Sequence, residues 1–100
     1  MNFRFHPSAE AELYVAQDWY EEQRGGLGRE FLTAVIQAID TIRATPRAFA
    51  RWPGTSAEVR RLLVKRFPYA LPYIVGSRYI EILAVAHTRR RPLYWLDRLQ

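Results

Sequence analysis

Residues 2–6 alternate polar and aromatic side chains (Asn2, Phe3, Arg4, Phe5, His6), the period of a short strand. Pro7 and Ser8 stop that pattern, and Ser8 is placed to cap a helix beginning at Ala9, with Glu10 and Glu12 favourable in its first turn. Ala9, Leu13, Ala16 and Tyr20 recur at helical spacing, and Val15 and Trp19 widen the face. Gly25-Gly26 ends this helix, because glycine accepts the left-handed C-terminal position. A second helical period runs from Leu27 to Ala44, with Phe31, Val35, Ile39 and Ile42 as its apolar stripe and Pro46 closing it. So short a connection predicts an antiparallel helical hairpin.

Arg47 to Ala57 reads as a loop with Trp52-Pro53-Gly54 as its turn. Beyond it the period changes to that of strands: Val59–Arg66, Phe67–Val75 and Tyr79–His87, with a tight turn at Gly76-Ser77 between the last two. The nearly continuous apolar run of Ile80 to Ala86 predicts a strand covered on both faces. Pro72 has no N–H to give a ladder and predicts an edge or a bulge at that point. The element order is β-α-α-β-β-β. It predicts an α+β domain over residues 1–100, with a helical hairpin packed on one antiparallel sheet.

Composition narrows the chemistry. An apolar share of 49% supplies one core without staples, and the absence of cysteine removes disulfides, thiolate catalysis and Cys-based zinc sites. His6 and His87 are too few for a His-rich metal site, so neither metal nor cofactor is expected. No 18-residue apolar run is present and residues 1–5 lack a signal-peptide core, which predicts a cytoplasmic protein without a membrane partner. Charge is divided unevenly. Residues 59–100 hold nine basic side chains against two acidic ones, whereas residues 1–58 hold six against eight. Eight of those nine are arginine, whose planar fork matches phosphate oxygens two at a time. The surplus points to nucleic acid or an acidic protein, although an arginine-rich codon bias would leave the same composition.

Arg60, Arg61, Lys65 and Arg66 straddle the first strand of the second half, Arg60 and Arg66 on one face and Arg61 and Lys65 on the other. Only part of this set can share a groove, and a solvated edge strand kept from aggregating by charge is the competing reading. Arg89-Arg90-Arg91 follows the apolar strand with Asp97 as the one acid close in sequence, so the three are expected to lack full partners. Tyr94-Trp95 comes next. Cations interleaved with rings suit an unpaired nucleic-acid strand, and a phenol beside arginines can donate or accept a proton. Trp95 is read as packing the segment onto the sheet, His6 as structural, and Glu21 and Glu22 as solvated. His87 stands beside the arginine run and is a further candidate.

Trp19-Tyr20, Gly26-Leu27-Gly28-Arg29-Glu30-Phe31, Val59-Arg60-Arg61, Arg66-Phe67-Pro68-Tyr69-Ala70, Ala84 to Arg90 and Trp95 together resemble the RelE/ParE superfamily of bacterial toxins, also called plasmid-stabilisation proteins. The resemblance implies the toxin of a type II toxin–antitoxin system, held by a cognate antitoxin through an acidic, partly disordered segment that folds on binding. RelE-like members cut messenger RNA on the ribosome by metal-free attack of a 2′-hydroxyl; ParE-like members inhibit DNA gyrase and catalyse nothing. In the first case the resemblance makes Arg61 and Lys65 phosphate-stabilising candidates, Arg89 or Arg90 a second clamp, Tyr94 a proton donor and His87 a base, with Arg60, Arg66 and Arg91 as nucleic-acid contacts. RNA cleavage is the leading expectation and gyrase inhibition the alternative, with an inactive binding relative as a third reading.

Overall fold

A computed structural model describes residues 1–99. The chain runs β1 (Asn2–Phe5), α1 (Pro7–Gln23), α2 (Leu27–Ala44), β2 (Arg60–Leu63), β3 (Tyr69–Val75), β4 (Tyr79–Ile82) and β5 (Ala86–His87), then a single 3₁₀ turn at Leu96–Arg98. The sheet order is β1-β4-β3-β2, and β5 continues along β3 beyond the end of β4. β2, β3, β4 and β5 pair antiparallel, but β1 lies parallel to β4, in register Asn2 with Tyr79 through Phe5 with Ile82. The sheet is therefore mixed and not wholly antiparallel as the pattern predicts. Strand direction is set by the helical hairpin that carries the chain away, and periodicity within a strand carries no record of it.

Helix α1 begins two residues before Ala9. Pro7 takes the first helical position, where its fixed φ fits and a missing N–H is no loss, and His6 rather than Ser8 forms the cap. The His6 carbonyl accepts from the Ala9 and Glu10 N–H groups, and its Nδ1 accepts from the Ser8 N–H at 3.1 Å. The hairpin turns at Gly26, whose φ of 89° only glycine adopts without strain. Glu21, expected to be solvated, instead accepts from the N–H groups of Gly26 and Gly28 at 2.9 and 3.0 Å, satisfying the start of α2. A Cβ at position 28 would lie 2.6 Å from the Gln17 carbonyl oxygen, so the close approach of the helices requires glycine there.

One face of the sheet packs on the hairpin. Leu13, Ala16, Phe31, Val35, Ile39 and Ile42 meet Leu71, Tyr73, Ile80 and Ile82, all buried. On the opposite face Trp95 is wholly buried with Val59, Leu83, Ala84 and Ala86, under Trp52 and Leu93. The apolar run from Ile80 to Ala86 is thus covered on both sides, as its composition predicts. It does not form one strand, however. Tyr73 pairs with Ile82 while Ala70 pairs with Ala86, so Leu71 and Pro72 face the three residues Leu83, Ala84 and Val85. This is a β-bulge at the proline, whose carbonyl still accepts from the Leu83 N–H at 2.8 Å. Pro72 marks the bulge but no edge, because β3 is flanked on both sides.

Strand β2 is also shorter than Val59–Arg66. Arg66 adopts a φ of 73° in the turn to β3, so Lys65 and Arg66 leave the ladder and the expected alternation stops at Leu63. The loop before it is not wholly irregular: Trp52 N–H donates to the Val59 carbonyl and Arg61 N–H to that of Ala50, laying residues 50–52 along the outer edge of β2.

Candidate functional site

The face of the sheet away from the helices carries a groove of about 170 Å³ lined by Trp52, Arg61, Leu63, His87, Arg90 and Arg91, with Pro92 to Trp95 along one wall. Arg61 and Leu63 reach it because they alternate with Leu62, which packs toward the hairpin. The Arg61 guanidinium lies 5.3 Å from the centre of the Trp52 ring, a cation–π contact that orients it without neutralising it. Trp52 in turn packs edge-on against Trp95, with ring centres 5.1 Å apart. His87 sits at the groove's end; its Nδ1 accepts from the Arg89 N–H at 3.1 Å and its ring meets Tyr69 edge-on.

Of the nine side chains singled out in the sequence, five converge here: Arg61, His87, Arg90, Arg91 and Tyr94. The other four lie elsewhere. Lys65 and Arg66 line a separate depression with Gly26, Arg29 and Glu30, and Arg66 is held by Glu30 at 2.9 Å. Arg60 donates to the Phe49 carbonyl at 2.8 Å and lies 3.5 Å from Glu58. Arg89 is exposed beside the groove, not among its lining. Among the described residues at or beside the groove, Arg61, Arg89 and Arg91 have no side-chain hydrogen bond or ion pair, which leaves them with charge to offer there.

Arg90 and Tyr94 are not free. Both are bound by Glu12, a residue that sequence reading assigns only to the first turn of a helix. One Glu12 oxygen accepts from the Tyr94 hydroxyl at 2.8 Å, from Arg90 at 3.1 Å and from Arg98 at 2.9 Å. The other accepts from Arg98 and from the Val85 N–H, each at 3.0 Å. Arg98 forks across both oxygens, the bidentate geometry in which arginine binds carboxylate most strongly. Its remaining reach goes to the Leu83 carbonyl at 3.0 Å. The side chains of Glu12 and Arg98 are only 16% and 14% exposed, so removing either leaves a charge without water.

Burial alone would push the Glu12 carboxyl up, but hydrogen bonds from Arg98, Tyr94 and the Val85 N–H, with the charge of Arg98, outweigh it and hold the group below its ordinary range. The Tyr94 phenol moves the other way. Burial and its bond to the Glu12 carboxylate push it up to about 12, with Arg90 and Arg98 opposing the rise. The Arg90 guanidinium stacks 3.7 Å over the Tyr94 ring, closing the cluster. The signal for Glu12 was present in the chain: it falls between Ala9 and Ala16 on the buried stripe of α1, where an acid has to find partners. Only their identity, 73 to 86 residues away, was hidden.

A second exposed feature borders this cluster. Tyr14, Val15 and Trp19 stand out from α1 as large apolar side chains in solvent, Val15 at 71% exposure. Val15 and Trp19 line an apolar hollow of about 520 Å³ with Tyr20, Pro68, Tyr69 and His87. Among the described residues no group of three or more His, Asp or Glu side chains is spaced to hold a metal ion, and no helix is long and apolar enough to cross a membrane.

The family described as the ParE toxin of type II toxin–antitoxin systems, parDE, matches residues 3–92. No curated protein matches the chain. Among solved structures, a chain of the chromosomal ParDE toxin–antitoxin system from P. aeruginosa superposes with a TM-score of 0.76. It is 21% identical, and the match covers 89% of this chain and 97% of that one. At that identity the likeness carries the fold: a helical hairpin on a mixed sheet, as in RelE/ParE proteins. With the family match spanning most of its length, the chain belongs to the ParE toxins of type II toxin–antitoxin systems.

Proposed function

We propose that this toxin acts as ParE-like members do, by binding and inhibiting DNA gyrase without catalysing a reaction. Membership of a toxin–antitoxin family implies a cognate antitoxin as its partner. The observation that carries the non-catalytic reading is the state of Tyr94. A general acid for RNA cleavage needs a proton it can release near neutral pH at a reachable site. The Tyr94 proton is instead donated to Glu12, and its phenol is pushed up to about 12. Arg90, the expected second clamp, spends its charge on the same carboxylate. What remains open to a partner is a patch of unpaired arginines, Arg61, Arg89 and Arg91, beside Trp52 and Leu63: a surface for binding an acidic partner more than a site for moving protons.

The antitoxin is expected to cover the exposed face of α1, where Tyr14, Val15 and Trp19 border the hollow over Tyr69. An amphipathic helix with acidic flanks suits it, its apolar side on α1 and its carboxylates toward the arginine run. The experiment is a supercoiling assay with purified toxin and gyrase. Inhibition that added antitoxin reverses is the expected result. Unchanged supercoiling, together with new transcript ends inside translated codons on induction, would return the assignment to RNA cleavage, for which His87 and Arg61 at the same groove would be the groups to test.

A further inference from the structure

We infer that Glu12 is a positioning residue of the toxin: by holding Arg90, Tyr94 and Arg98 against the sheet bulge, it fixes the segment 88–99 that forms one wall of the cationic groove. The inference rests on the reading that the toxin acts through that groove, and it concerns a residue on the first helix, outside the arginine and aromatic set.

Beyond its apolar packing, the segment has few polar ties to the rest of the molecule. After β5 its backbone bonds are almost all local, as between Arg90 N–H and the His87 carbonyl, Leu96 N–H and the Leu93 carbonyl, and Arg98 N–H and the Trp95 carbonyl. A bond from Thr88 N–H to the Pro68 carbonyl ties its beginning to the sheet. Regular structure is limited to the 3₁₀ turn. Trp95 seats it in the back-face cluster and Leu93, Tyr94, Leu96 and Leu99 pack partly buried beside it, but apolar contacts are non-directional and do not by themselves fix where the arginines point. The backbone on one flank is held against its own preference. Leu93 adopts a φ of 64°, a left-handed conformation that a leucine keeps only when its surroundings impose it. Arg90 is drawn onto the Tyr94 ring although its side chain is still half exposed.

Glu12 reaches three separate parts of the chain at once. It takes up the Val85 N–H, which the bulge opposite Pro72 has deprived of a β3 partner. It accepts from Arg90 near the start of the segment, from the Tyr94 hydroxyl at its middle, and from the Arg98 fork at its end. With Arg90 and Arg98 absorbed in this way, Arg91 and Arg61 are left as the unpaired cations of the groove lining. Loss of the carboxylate would free the segment and scatter those charges while the hairpin and sheet stay folded.

The test uses the full chain with Glu12→Gln, which keeps the shape and removes the charge, and Arg98→Lys, which keeps the charge and removes the fork. Amide exchange and growth arrest on induction are read at temperatures equally far below each thermal midpoint, with Ile42→Val in the hairpin core as a control for lowered stability. Glu12→Gln is expected to speed exchange at Leu96, Arg98 and Leu99 at least tenfold, leave the β3 and β4 amides protected, and abolish growth arrest. Arg98→Lys should do the same more weakly, and Ile42→Val should do neither. Slow tail exchange in Glu12→Gln, or growth arrest equal to that of the unsubstituted chain, would overturn the inference. An unsubstituted chain that fails to arrest growth would overturn the toxin reading instead, and the exchange result would still decide whether Glu12 anchors the segment.

Discussion

At the scale of single residues, the arginines of the second half differ in kind although the sequence presents them alike. Arg98 is an internal structural cation, Arg66 and Arg60 are held by Glu30 and Glu58, and of the arginines at or beside the groove Arg61, Arg89 and Arg91 carry unspent charge. Neighbouring sequence cannot reveal this, because the acid that absorbs Arg90 lies on α1. Tyr94→Phe tests the non-catalytic reading directly. Losing a hydrogen bond to a charged acceptor lowers stability by about 1.5–3 kcal/mol, measurable by urea denaturation, while growth arrest is expected to persist at temperatures where the variant is folded. Loss of arrest in the folded variant would favour a proton-transfer role. Glu12 gives the pH dependence. Its folded pKa lies below the ordinary value of 4.5, so its contribution is fully present above that value and is lost as pH falls through the folded pKa. Urea midpoints from pH 7 to pH 3 should therefore fall in the acid range, and Glu12→Gln should flatten that part of the curve.

Among the elements, the helices were the most legible. The span Leu27–Ala44 follows from an apolar stripe bounded by glycine and a following proline, and the structure keeps those bounds. The strands were less so. The run from Tyr79 to His87 reads as one strand because apolarity reports burial, and burial continues through a bulge that breaks the pairing. Pro72 gave the place of that break but could not say whether β3 lay at an edge. Position 28 offers a test of how the hairpin packs: Gly28→Ala places a methyl against the Gln17 carbonyl. The expected cost is about 1–3 kcal/mol, as for other overpacked contacts, seen as a lower urea midpoint with helicity retained. The outward face of α1 answers to a different measurement. Val15→Asp puts a carboxylate in the middle of the apolar strip, where an acidic antitoxin would meet both a like charge and a lost contact. Affinity for the antitoxin is expected to drop at least tenfold, with thermal stability nearly unchanged because Val15 is already in solvent; equal affinity would place the antitoxin elsewhere.

The whole molecule is bound together by its two ends. β1 pairs with β4 across 77 positions, and the Glu12 carboxylate reaches Arg98 across 86. What the sequence supplied at this scale was the order of elements and the basic second half; the parallel entry of β1 and the meeting of α1 with the last turn depend on topology that local patterns do not encode. Contacts at such separation close late, since each requires a long loop to be shut first. During synthesis the helical hairpin can form as soon as residue 44 has emerged, but β1 must wait for Tyr79–Ile82 and the groove wall for Arg98. If the groove binds the target as proposed, a ribosome therefore makes most of these residues before the target surface is complete. On the docking proposed for the antitoxin, the interval is time in which antitoxin already present would meet the nascent hairpin through Val15 and Trp19, so neutralisation would begin on a chain that has yet to become toxic.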